Sequence, residues 1–139
     1  MAEAAAPLRA PLPRAALAGL AYFTLVFAAG FALGTARVLL LLPGVGETTA
    51  VLLELPLILA VSWLSCRWVI ARLALSGDLR ARLMMGGVAF ALLIIAEAAL
   101  GVIGFGRSLT EHLAQYLRPA AMLGLLGQLV FAAFPALQK

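Results

Sequence analysis

Charge is scarce in this chain. Of 139 residues, 12% are charged and 65% are hydrophobic, and the mean hydropathy is +1.10. Soluble domains carry roughly a quarter charged residues. A fold this small has too little interior to bury so much apolar surface, so hydrocarbon must cover the remainder. A water-soluble domain is excluded at this step.

Cysteine and histidine are scarcer still, with Cys66 and His112 occurring once each. A single cysteine cannot close an intrachain disulfide, and the two residues supply no paired ligands for a metal. The sequence also has no Ser–His–Asp or Cys–His order, no HExxH and no phosphate-cradling loop. No catalytic residue, metal or cofactor is therefore expected. The ten basic residues exceed six acidic ones, for a net charge of +4. They cluster at the ends of apolar runs and are not interleaved with aromatics, which speaks for orientation in a bilayer and against nucleic acid as a partner.

What is abundant is long apolar runs. Residues 1–14, rich in Ala and Pro with Glu3, Arg9 and Arg14, are expected to form a mobile cytoplasmic tail. Residues 15–139 read as one all-α membrane domain of four transmembrane helices, over about 15–42, 48–70, 83–106 and 119–135. The first run exceeds the ~7–15 residues of a signal-peptide core and has no A-x-A site after it, so it is expected to be retained. Pro43-Gly44-Val45-Gly46 marks a turn. Ser108-Leu109-Thr110-Glu111 fits a capping box. It opens a short amphipathic helix, residues 109–117, expected to lie on the membrane surface with Leu109, Leu113, Tyr116 and Leu117 on one side and Glu111, His112, Gln115 and Arg118 on the other.

Positive residues set the orientation. Arg9, Arg14, Arg67, Arg72, Arg80, Arg82 and Lys139 fall on one side; Arg37, Arg107 and Arg118 fall on the other. The richer side is cytoplasmic, so both termini are inside, with Trp68 at the inner interface and Tyr116 at the outer. One common offset also aligns Gly34 with Gly104, Arg37 with Arg107 and Leu39 with Leu109, as two parallel hairpins would.

Ionisable groups within the spans are costly and mark the candidate site. Glu97 shares a helical face with Gly86, Phe90, Gly101 and Gly104, so that face is expected to meet protein rather than lipid. Gln128 lies at matching depth, on a face with Ala121, Gly124 and Ala132, and a Glu97–Gln128 hydrogen bond is predicted. It is either a packing device or part of a proton or cation site. Arg37 shares a face with Gly19, Gly30 and Gly34, and Gly30-x-x-x-Gly34 is a close-packing spacing. Glu54 lies at the depth of Arg37 on the next helix. The two either pair or separate, Arg37 to the headgroups and Glu54 to water. His112, expected on the exposed side of the surface helix, is either solvated or part of a weak anion or headgroup site with Glu111 and Arg118. Ser62, Ser65 and Cys66 are expected to satisfy backbone carbonyls.

The segments Gly34–Leu39, Glu54-Leu55-Pro56 and Ala96–Gly101 together resemble small four-helix inner-membrane proteins of bacteria. That resemblance implies the topology and a bacterial inner-membrane location; the family lends no activity. Three functions compete: a non-enzymatic bundle that self-associates or serves a larger membrane complex, an oligomeric channel or proton-coupled carrier using Glu97, Arg37 and Glu54, and an enzyme acting on lipid through His112 with Glu111.

Overall fold

The computed structural model describes residues 11–138. The described residues are mostly helical, without strands. Helix α1 covers Pro11–Ala36 and runs on through a wide turn, Arg37–Leu41, into a short α2, Leu42–Val45. After Gly46 come α3 (Glu47–Arg72) and α4 (Leu79–Ala99), the latter extended by a second wide turn, Leu100–Gly104. Helix α5 (Leu109–Ala114) and a 3₁₀ turn (Gln115–Leu117) lead into α6 (Pro119–Leu137). Four of these stretches are long and apolar enough to cross a membrane: Pro13–Val45, Glu47–Arg72, Leu79–Gly104 and Pro119–Leu137.

Helix boundaries differ from the hydropathy pattern at charged ends. Residues 11–14 of the expected tail are helical, while residues 1–10 lie outside the described part. The third span begins at Leu79 rather than 83, drawing Arg80 and Arg82 out of the linker and into its first turns. Charge lowers hydropathy there without breaking the helix, because Arg is a good helix former.

Each connection has a local cause. Gly46 adopts φ +83°, a conformation that glycine reaches without penalty. The end of α3 is a Schellman motif: the Leu75 N–H donates to the Ile70 carbonyl at 3.0 Å and the Ala74 N–H to Ala71 at 3.3 Å. The left-handed position is held by Ala74 at φ +48°, where glycine is usual. Leu75 is buried and closes the motif. Both wide turns use i→i+5 hydrogen bonds, Leu42 N–H to Arg37 O and Phe105 N–H to Leu100 O. Each adds a residue to its turn and rotates the chain beyond it about the helix axis.

The spans form a four-membered ring in which α1 packs on α4 and α3, and α6 on α4 and α3. By connectivity α1 and α4 run in one direction and α3 and α6 in the other, so the two hairpins lie side by side in the same sense. The sequence offset does not bring the two wide turns into register. It pairs Arg37, which opens one wide turn, with Arg107, which lies beyond the other.

The core sits towards the end that carries the α3–α4 connection. Ala15, Ala18, Tyr22, Cys66, Val69, Ala81, Met85, Ala89 and Phe131 are buried there. Tyr22 spans the ring, stacking on Phe131 at 4.3 Å and donating to its carbonyl at 2.7 Å. Large apolar side chains elsewhere point outward, Leu40 at 76% and Ile103 at 83% exposure. Contiguous apolar exposure of this kind calls for an apolar surrounding.

Candidate functional site

The polar groups of the spans gather towards the opposite end, near the two wide turns. Glu97, on the last full turn of α4, accepts from Gln128 Nε2 of α6 at 2.5 Å and from the Tyr116 hydroxyl at 3.3 Å. Three elements thus converge on one carboxylate. Gln128 Oε1 is buried and meets no hydrogen-bond partner among the described residues. Burial pushes the Tyr116 phenol up to about 12, and the charge of Glu97 and the hydrogen bond to it act in the same direction.

His112 is placed differently from the expectation. It is buried, not on a solvated face. Its ring lies edge-on to Tyr116 at 5.5 Å and is seated against Gly101, where an added Cβ would come within 2.5 Å of Nδ1. That Nδ1 has no hydrogen-bond partner among the described residues. The reason is a third environment: Leu109 and Leu113 of α5 and Leu117 of the 3₁₀ turn point outward, and His112 is laid on the bundle while Glu111 stays exposed. Glu111, expected beside His112, instead completes the capping box with Ser108, with both bonds at 3.1 Å. The Ser108 backbone N–H, then its hydroxyl, hold the Glu111 carboxyl below its usual range. Arg118 is not with His112 either; it pairs with Glu47 at the start of α3.

Arg37 and Glu54 face each other, with Nε and Oε2 2.7 Å apart and both side chains mostly buried. The Nε–H is not directed along that line, so the contact is an ion pair without an aligned hydrogen bond. Ser62 donates to the Ile58 carbonyl at 2.7 Å, a bond within its own helix.

The glycines divide. Gly30 meets Ile58 at 3.6 Å from an added Cβ, and Gly101 seats His112. Gly34, Gly104 and Gly124, expected to pack helices, touch no neighbouring span: an added Cβ would meet only Arg37 Nη2 at 3.7 Å, Leu100 of its own segment at 3.1 Å, or nothing. Gly104 has been turned away by the wide turn that contains it. The glycines at close helix crossings are Gly19, Gly86 and Gly127: an added Cβ would come within 2.7 Å of the Met85 carbonyl, would overlap that of Ala132, and would come within 2.6 Å of Leu55, respectively.

One polar residue of consequence was hidden in the linker reading. Arg82 is buried, donates from Nε to the Ser76 carbonyl at 2.9 Å, and from Nη1 to the Pro135 carbonyl at 3.1 Å and to that of Gln138. It thereby caps the C-terminal end of α6, whose last carbonyls have no intrahelical partners. Gln138 continues the tie to α3, donating to the Trp63 carbonyl at 2.9 Å. The signal was present in the sequence: Arg82 lies on the i, i+3, i+4, i+7 stripe with Met85, Gly86 and Ala89. Among the described residues no group of three or more His, Cys, Asp or Glu is close enough to hold a metal. Comparison of the chain with family models, with curated proteins and with solved structures finds no match.

Proposed function

We propose that the chain is a multi-pass protein of the bacterial inner membrane that acts without catalysis, as a helical bundle that self-associates or serves as an accessory subunit of a larger membrane complex. Both termini and the α3–α4 connection lie in the cytoplasm, as the positive-inside bias requires. Helix α5 and the 3₁₀ turn after it lie at the outer surface with Leu109, Leu113 and Leu117 towards lipid.

One observation carries this reading: Arg37, Glu97, Tyr22 and Arg82 each tie one span to another. Arg37 joins α1 to Glu54 on α3, and Glu97 joins α4 to Gln128 on α6. Tyr22 joins α1 to α6, and Arg82 joins α4 to the end of α6. Groups employed in this way build a frame. An added Cβ would meet nothing at Gly87 or Gly124 and only Arg37 at Gly34, and small residues with open space beside them let a further helix approach closely. Light scattering of the full-length protein in mild detergent, with cross-linking in native membranes, tests the reading. An assembly larger than one chain, weakened by Gly34→Leu or Gly124→Leu, is expected. A lone chain in both settings overturns it.

A second reading, an oligomeric channel or proton-coupled carrier of small solutes, draws on Gln128 Oε1 and His112 Nδ1, buried with unused hydrogen-bonding capacity around Glu97. Its test is flux into vesicles under a pH gradient, wild type against Glu97→Gln. A flat trace from both removes it for the solutes tried.

A further inference from the structure

The two ends of the bundle differ in charge. At the end of the α3–α4 connection Arg14, Arg67, Arg72, Arg80 and Arg82 stand against Asp78; at the other, Arg37, Arg107 and Arg118 stand against Glu47, Glu54, Glu97 and Glu111. Arg82 is engaged with backbone carbonyls, whereas Arg14, Arg67, Arg72 and Arg80 are exposed. At this basic end an open groove of about 360 Å³ runs between α1 and α3, lined by Leu25, Leu64, Ser65 and Trp68.

Leu64, Trp68 and Arg72 recur every four residues, so one stripe of α3 passes from apolar to interfacial to charged. A little over two turns of helix separate its ends, about 12 Å, which takes the stripe from hydrocarbon to the headgroup level. The Arg72 guanidinium carbon lies 5.6 Å from the centre of the Trp68 ring. Stacking on an aromatic face leaves the N–H edge of a guanidinium free, and that edge matches the oxygens of a phosphate.

We propose that this groove is a site for one anionic phospholipid, its acyl chain along Leu25 and Leu64 and its phosphate on Arg72. The inference rests on the membrane reading above. Charge selects the occupant: a zwitterionic lipid fits the apolar groove but brings no net charge to the arginines. A second copy seated in this groove would bring its own basic end against Arg72, which like-charge repulsion opposes at this contact.

The test uses the purified full-length protein in a neutral detergent. Native mass spectrometry and thermal unfolding are followed on adding phosphatidylglycerol, phosphatidylcholine with the same chains, or inorganic phosphate. Wild type should retain one phosphatidylglycerol and be stabilised by it more than by phosphatidylcholine, with no response to inorganic phosphate. Arg72→Gln should weaken phosphatidylglycerol binding about tenfold, the equivalent of one charge-assisted hydrogen bond. Arg80→Gln, on α4 outside the groove, should not. Leu25→Trp, which fills the groove and leaves the arginines intact, should lose retention of both lipids. Equal responses to the two lipids, equal losses in Arg72→Gln and Arg80→Gln, or a response to inorganic phosphate alone would each overturn the site. Those results leave membrane insertion untouched, since fractionation of cells measures it separately.

Discussion

Replacing Arg82 with Leu should be among the most damaging single changes in this protein. Arg82 is 4% exposed and donates to the carbonyls of Ser76, Pro135 and Gln138. Hydrogen bonds from a charged donor contribute about 1.5–3 kcal/mol each. They are not additive here, because carbonyls at a helix end regain some water once released. Leaving a buried carbonyl without its donor costs about 1–3 kcal/mol, and partial rehydration of the released carbonyls puts the expected total loss at about 3 kcal/mol. Arg82→Lys should fall between wild type and Leu. It keeps a cation at the C-terminal end of α6, worth about 0.3–1 kcal/mol, but loses the fork that reaches several carbonyls at once. Reversible unfolding of the full-length protein in mixed micelles, titrated with a denaturing detergent, measures both. A loss below about 0.5 kcal/mol for Arg82→Leu, the range of an ordinary surface change, would refute the reasoning.

Other predictions are open to the same assay. Ala74→Gly should stabilise the protein by about 1 kcal/mol, because Ala74 holds a left-handed conformation at φ +48° that disfavours a Cβ; a destabilised variant would contradict this. Glu97→Leu and Gln128→Leu should show a coupling of about 0.6–2 kcal/mol in a double-mutant cycle, while Glu97→Gln, which keeps the side chain's length, should be close to neutral. Additive losses would mean the two side chains do not communicate. Tyr116 sets a pH limit. Its phenol is raised from 10.0 to about 12 in the fold, so the stabilisation is fully present below the ordinary value and is lost as pH rises through that interval. Tyr116→Phe should decline less steeply over that interval; the same slope in both proteins would mean that Tyr116 contributes nothing to it.

The spans were legible in the sequence because hydropathy reports solvent directly, and each apolar run covers a bilayer thickness. Depth matching was nearly as informative. Helical rise alone placed Glu97 level with Gln128 and Arg37 level with Glu54, and the structure sets each pair in contact. What failed was angular position. The wide turns at Arg37–Leu41 and Leu100–Gly104 each insert a residue, and a constant 100° per residue then puts Gly104 on the wrong face. His112 was misplaced for a different reason. An amphipathic pattern separates polar from apolar sides, but it does not distinguish water from a neighbouring segment of the protein, and His112 rests on Gly101. Arg82 was counted by its charge as part of the linker, although its spacing from Met85 and Gly86 sets it on the buried stripe of α4.

The bilayer crossing itself is tested most directly by thiol labelling in intact cells. In a Cys66→Ala background, a single cysteine is placed at Gly44, between α1 and α3, or at Ser76, between α3 and α4. An impermeant maleimide should reach the cysteine at 44 from outside, and the one at 76 only after the inner membrane is permeabilised. Labelling of both positions from the same side would contradict a second span that crosses the membrane, and with it the four-helix account.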